Sequence, residues 1–133
     1  MPIVTINPEQ LYDGAAVGLS QATVDTDSGL VFVSGQVDWD SDSRRQHDGI
    51  VDQAEAAFAN LMIALQAAGS GTSAVLQLRI YVRGEVADHL PAVAPLLPKY
   101  FGNHRPALTG VGVASLAEPD LLIEIEAVAK VMR

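Results

Sequence analysis

The sequence predicts an α+β sandwich in which helices cover one face of a sheet. Three observations carry this prediction: a long amphipathic helix pattern lies between strand patterns, the last two strand patterns are adjacent, and the strands differ in whether one side or both sides are apolar. In chain order, "LVFVSGQV" (30 to 37) is a short β-branched run without clean alternation, as expected where both faces are covered. The polar stretch "DWDSDSRRQHDG" (38 to 49) then reads as a loop. From about Asp48 to Ala68, residues Val51, Phe58, Leu61, Met62 and Leu65 recur at the spacing of one helical face, and "AAGSG" supplies a glycine stop.

"SAVLQLRIYVR" (73 to 83) alternates with period two, placing Leu76, Leu78, Ile80 and Val82 on one side and Gln77, Arg79, Tyr81 and Arg83 on the other. "VADHLPAVAPLLPKYFG" (86 to 102) suits a second helix, short or kinked, because Pro95 and Pro98 each remove a backbone bond and clash with the preceding turn. "ALTGVGVAS" (107 to 115) and "LLIEIEAVAKV" (121 to 131) are two further strands, joined by the turn-like "LAEPD". The last strand poses a question. Its alternation puts Glu124 and Glu126 on one face, about 7 Å apart by strand rise, with Leu121, Ile123, Ile125 and Ala127 on the other. Two carboxylates in an apolar strand need a cation, water or a special purpose opposite them. Arg79 and Arg83 are the structural candidates for cross-strand partners.

Composition narrows the function classes. Residues 1–133 suffice for one domain with a core of its own. There is no cysteine, which excludes disulfides, thiolate metal sites and thiol catalysis. The N-terminus lacks a signal-peptide pattern and no run is long enough for a membrane span, so a cytoplasmic location is expected. A net charge of −8 opposes binding to phosphate backbones and makes nucleic acid an unfavoured partner. His47, His89 and His104 are scattered without ligand spacing, so no metal is expected. "GSGT" (69 to 72) ends a helix and is followed by no lysine, so it reads as a helix stop and not a phosphate cradle.

"LVFVSGQV", "DQAEAAFANLMIALQAAGS" and "YFGNHRPALTGVGV…LLIEIEAVA", in this order, resemble the RidA/YjgF/UK114 family of reactive imine and enamine deaminases, also called L-PSP endoribonuclease-like, from about Gly18 to Val131. The resemblance implies a chorismate-mutase-like mixed sheet with two helices packed on one face, assembled as a homotrimer around a central barrel with ligand clefts between subunits. It also implies hydrolysis of a small-molecule imine or enamine without cofactor, with a cleft glutamate handling the proton. That glutamate matches Glu124, the catalytic candidate. Leu19, Ser34, Gly35, Leu108, Thr109 and Gly110 fall at substrate-binding positions, and Gln36 completes the "SGQ" match.

The chain departs from the family pattern at three of these places and at one more. Leu108 stands where an arginine grips the substrate carboxylate, Gly110 where a cysteine is common, Leu19 where a tyrosine is expected and Ala94 where an asparagine falls. A buried guanidinium–carboxylate contact is a strong charge-assisted bond, so a simple 2-imino acid is not the expected substrate. The pocket implied is roomier and more apolar, and Trp39 is a candidate either for its wall or for a seam between subunits. The alternatives are a non-catalytic ligand-binding or structural trimer and, least favoured, an endoribonuclease.

Overall fold

The computed structural model describes residues 2–133. Six strands form one mixed sheet: β1 (Ile3–Ile6), β2 (Ala22–Asp25), β3 (Leu30–Gln36), β4 (Val75–Arg83), β5 (Ala107–Val113) and β6 (Ile123–Lys130). Their order across the sheet is β1-β2-β3-β6-β4-β5. All neighbouring pairs are antiparallel except β4 with β5. The last strand of the chain therefore inserts between β3 and β4 and joins the two halves. This central position explains why "LLIEIEAVA" carries a fully buried row, Ile123, Ile125 and Ala129, on the side that packs against helices.

The long helix α1 (Ile50–Ala67) lies across β3 and β6. Its buried stripe is Gln53, Ala54, Ala57, Phe58, Leu61, Ala64 and Leu65, the three- and four-residue recurrence of one face. The stripe is centred on small alanines, which let the helix approach the sheet closely. Val51, expected on that face, is exposed, because the helix rolls toward its alanine side. Gly69 follows the helix at φ +76°, a left-handed conformation suited to glycine at a helix end.

The proline-rich segment folds as anticipated for a broken helix: α2 (Val86–Val93) and α3 (Leu96–Phe101) are separated at Ala94–Pro95. Pro95 caps the start of α3, where a missing N–H costs little. The α2–α3 pair carries the chain from β4 to the parallel edge strand β5, the crossover such a pair requires.

Alternation holds along β4 from Gln77 onward but not before. A register shift between Val75 and Gln77 turns Val75 into the core and leaves Leu76, expected there, 47% exposed. An extra residue in a strand does this by breaking the period of two. Two strands not individually placed from sequence, β1 and β2, extend the sheet beyond β3 as a short antiparallel pair. No helix is long and apolar enough to cross a membrane among the described residues.

Candidate functional site

Glu124 and Glu126 prove to have different surroundings although they share a face. Glu126 lies directly opposite Arg79 across the β4–β6 ladder, with a guanidinium nitrogen 3.7 Å from its carboxylate, and it accepts a hydrogen bond from the Tyr81 hydroxyl. That bond raises the Tyr81 pKa, with burial and the Glu126 charge adding to it. Glu126 is thus a paired structural carboxylate. Glu124 faces Tyr81 in the ladder, yet its carboxyl makes no hydrogen bond or ion pair among the described residues.

What lies against Glu124 is backbone. A Cβ at Gly35 would sit 2.6 Å from the Glu124 carboxyl carbon and 2.7 Å from one of its oxygens. Only glycine leaves that space, so the Ser34–Gly35 segment is shaped around the carboxylate. The shape comes from an irregularity in the β3–β6 register between Val33 and Gln36. A buried amide network holds it there. The Ser34 hydroxyl donates to the Ser20 carbonyl at 2.6 Å, and Gln36 Nε2 donates to Gln21 Oε1 at 2.8 Å and to the Ser34 carbonyl at 3.2 Å. Gln21 Nε2 in turn donates to the Tyr12 carbonyl at 2.8 Å. Both glutamines are essentially inaccessible to solvent and fully satisfied, the condition under which a buried polar network rigidifies its surroundings.

Glu124 opens into a cavity of about 500 Å³ walled by Tyr12, Val17, Leu19, Val37 and Trp39, with Gly35 at its back. Burial raises the Glu124 pKa, and the neighbouring Glu126 charge raises it further. Burial likewise raises that of Tyr12; a Gln21 side-chain contact lowers it and the charge on Glu124 raises it. A carboxyl with a raised pKa is a stronger base, the direction that favours taking up a proton and later returning it.

The same shift links to stability with a definite sign. A carboxyl with a raised folded pKa favours folding when protonated. Its contribution is complete below the unfolded value near 4.5 and disappears as pH rises through the folded pKa. Glu124→Gln is therefore expected to raise Tm above that interval and to leave it unchanged below. Thermal melts across the range check this; a constant offset at every pH would contradict it.

The remaining expected site residues separate. Leu19, Gly35 and Glu124 share the first cavity, while Ser34 supports it from behind. Leu108 lies level with Leu78 on the helix-packed side, where it lines a second cavity of about 460 Å³ with Ala94, Leu97, Phe101 and Arg105. Thr109 lies level with Arg79 on the open side, and Gly110 follows on the exposed edge strand β5. Arg105 lies three residues before Leu108, across Pro106. Had β5 reached it, alternation would send its side chain away from the Leu108 side; the strand begins at Ala107, so Arg105 is free of that constraint and shares the Leu108 cavity. Tyr12 is the site residue sequence reasoning missed: it lies in an irregular N-terminal segment with no periodic pattern to place it.

Two of the three histidines make contacts that serve the frame. His104 Nε2 lies 2.6 Å from the Val75 carbonyl, and His47 Nδ1 lies 3.0 Å from the fully buried Asp38. Among the described residues no group of three or more His, Cys, Asp or Glu comes together as a metal site would require.

A mixed sheet with a broken second helix and a glycine-backed carboxyl in a cleft defines a small α+β protein of the kind the sequence resemblance implied. Comparison with known proteins settles the family. The Endoribonuclease L-PSP family model matches residues 13–131. The chain is 30% identical over 99 residues to a 2-iminobutanoate/2-iminopropanoate deaminase of Dermatophagoides farinae, covering 74% of this chain and 75% of that one. The crystal structure of the yeast protein YEO7 superposes with a TM-score of 0.86 at 28% identity, over 96% of this chain and 98% of that one. A Mycobacterium tuberculosis member of the YjgF/YER057c/UK114 family superposes with a TM-score of 0.75 at 32% identity, over 92% and 98%. The chain belongs to the Endoribonuclease L-PSP family, the RidA/YjgF family of the resemblance.

Proposed function

We propose that this protein hydrolyses an imine or enamine to a carbonyl compound and ammonia, with Glu124 as the proton-transfer group and without metal or organic cofactor. The observation that carries the proposal is the Glu124 carboxyl lying unpaired against Gly35 in a largely apolar cavity, its pKa raised by burial. An enamine first takes a proton on carbon to become the imine. Water then adds to the carbon of this protonated imine as Glu124 takes its proton, giving a carbinolamine; Glu124 returns that proton to nitrogen, and the C–N bond breaks to release ammonia as the C=O bond forms and the hydroxyl proton passes to solvent. A carboxylate also stabilises the positive charge on a protonated imine.

The cleft, in this proposal, is completed by a second copy of the chain in a homotrimer. Supporting this, the expected site residues divide between two cavities on opposite sides of the sheet, so that one chain holds Glu124 and Leu19 in one half-site and Leu108 and Ala94 in another. The open sheet face also leaves Phe32 48% exposed, an apolar surface suited to burial against a partner. Leu108 removes the usual grip on a carboxylate beside the reacting carbon, so a simple 2-imino acid is not the proposed substrate. Arg105, at the same cavity, offers a cation farther from that position.

The second reading is a non-catalytic trimer that binds a small molecule in the same cleft, favoured by the apolar lining at Leu108 and Ala94. An excess of sixteen acidic over eight basic side chains weighs against RNA as substrate. Ammonia and carbonyl release from several enamine donors separates the readings. Release above background is expected from the wild type. Background rates from every donor would leave only the binding reading.

A further inference from the structure

Proton transfer by Glu124 makes no use of the aromatic wall opposite it. Tyr12 and Trp39 meet edge to face, ring centroids 5.0 Å apart at 86°, an arrangement aromatic pairs prefer. Neither ring is fully buried: both are partly exposed and border the open cavity.

Trp39 is held from behind. Its indole N–H donates to Glu118, its carbonyl accepts from Asn60 Nδ2 at 3.0 Å, and its peptide N–H donates to the Val37 carbonyl at 2.8 Å. Asp38, beside it, is fully buried and accepts from the backbone N–H groups of Gln46 and His47 at 3.1 and 2.6 Å. Gln21 fixes the backbone of Tyr12. A partly exposed aromatic pair braced by this many contacts forms a rigid surface, the kind of anchor that binds with little loss of side-chain freedom. The neighbouring walls, Val17, Leu19 and Val37, add no charge. Asp13 and Ser43 also line the cavity, which thus sets the unpaired Glu124 carboxyl beside an aromatic and largely apolar wall.

We propose, resting on the imine-hydrolysis reading, that the substrate is an imine or enamine bearing an aromatic substituent of phenyl size or larger. The ring packs on Tyr12 and Trp39 while its C=N group lies against Glu124. A short aliphatic imine leaves the wall unfilled and forgoes the burial that a ring provides.

Trp39 is the sole tryptophan, so intrinsic fluorescence reports occupancy of this wall directly. The protein and its Glu124→Gln variant are titrated with 4-phenylbutan-2-one and with butan-2-one, carbonyl products that differ only by the ring. A saturable change of Trp39 emission is expected with the aromatic ketone in both proteins, with binding at least about tenfold weaker for butan-2-one. In calorimetry, Trp39→Leu is expected to weaken the aromatic ketone about tenfold and to leave butan-2-one unchanged. If the aromatic ketone saturates while no donor is hydrolysed, the ligand class stands and the deaminase reading falls. No saturable response, or equal affinity for the two ketones, would overturn the proposal whatever the outcome for hydrolysis.

Discussion

Glu124→Gln is expected to lower kcat/KM for ammonia release by about 10²–10⁴-fold, the usual contribution of a positioned general acid–base group. Glutamine keeps the volume of the side chain and the contact with Gly35 but can neither take up nor return a proton near neutral pH. Because Glu124 makes no bond that holds the fold together, its neutral substitute should fold as well as the wild type or better, as its raised pKa implies. Loss of activity together with unimpaired stability is the signature. A variant retaining wild-type rates would remove Glu124 from the chemistry. Glu126 provides the internal control, since its carboxylate is already engaged by Tyr81 and Arg79.

Gly35→Ala tests the same carboxyl from the other side. The new methyl carbon would lie 2.6 Å from the Glu124 carboxyl carbon, well inside contact distance. The far end of a glutamate side chain can swing away, so the fold absorbs the change cheaply while the carboxyl leaves its position. A displacement of about 1 Å at a reacting group can lower a rate by about 10²-fold. The expected result is a loss of tenfold or more in kcat/KM, by the same argument about reacting geometry, with Tm shifted by only a few degrees. Equal activity for the alanine variant would mean that contact between Gly35 and Glu124 does not position the reacting group.

Local periodicity made much of this architecture legible in the sequence. The alanine-rich run that forms α1, the alternation of β4 and the acidic alternation of β6 are regular over enough residues to declare their type, and Pro95 marks the break between α2 and α3. Four-residue strands such as β1 and β2 are too short for any period to declare itself. Leu76 misled because one extra residue in a strand reverses every inference from alternation on its far side, and nothing in "SAVLQL" marks the shift. Val51 lies off the buried stripe because alanines, whose small side chains carry little hydrophobic signal in a sequence, set the close face of α1.

The site followed the same division. Alternation alone placed Glu124 and Glu126 together, but which of them was paired depended on the β4–β6 register, a long-range property. Tyr12 and Trp39 reach the Glu124 cavity from irregular segments, where position along the chain carries no information about facing. Leu108, joined to Glu124 by resemblance, lies across the sheet from it in a single chain, and that separation raises the question of a second subunit.

Mixing subunits addresses this most directly. Glu124→Gln disables one half-site, and Leu108→Trp fills the cavity that forms the other. Each variant alone is expected to be inactive. Co-refolded in equal amounts, they should regain about one quarter of wild-type activity, because a symmetric assembly joins two intact halves at one interface in four. A mixture as inactive as its components, despite confirmed hetero-assembly, would contradict a cleft built from two copies of the chain.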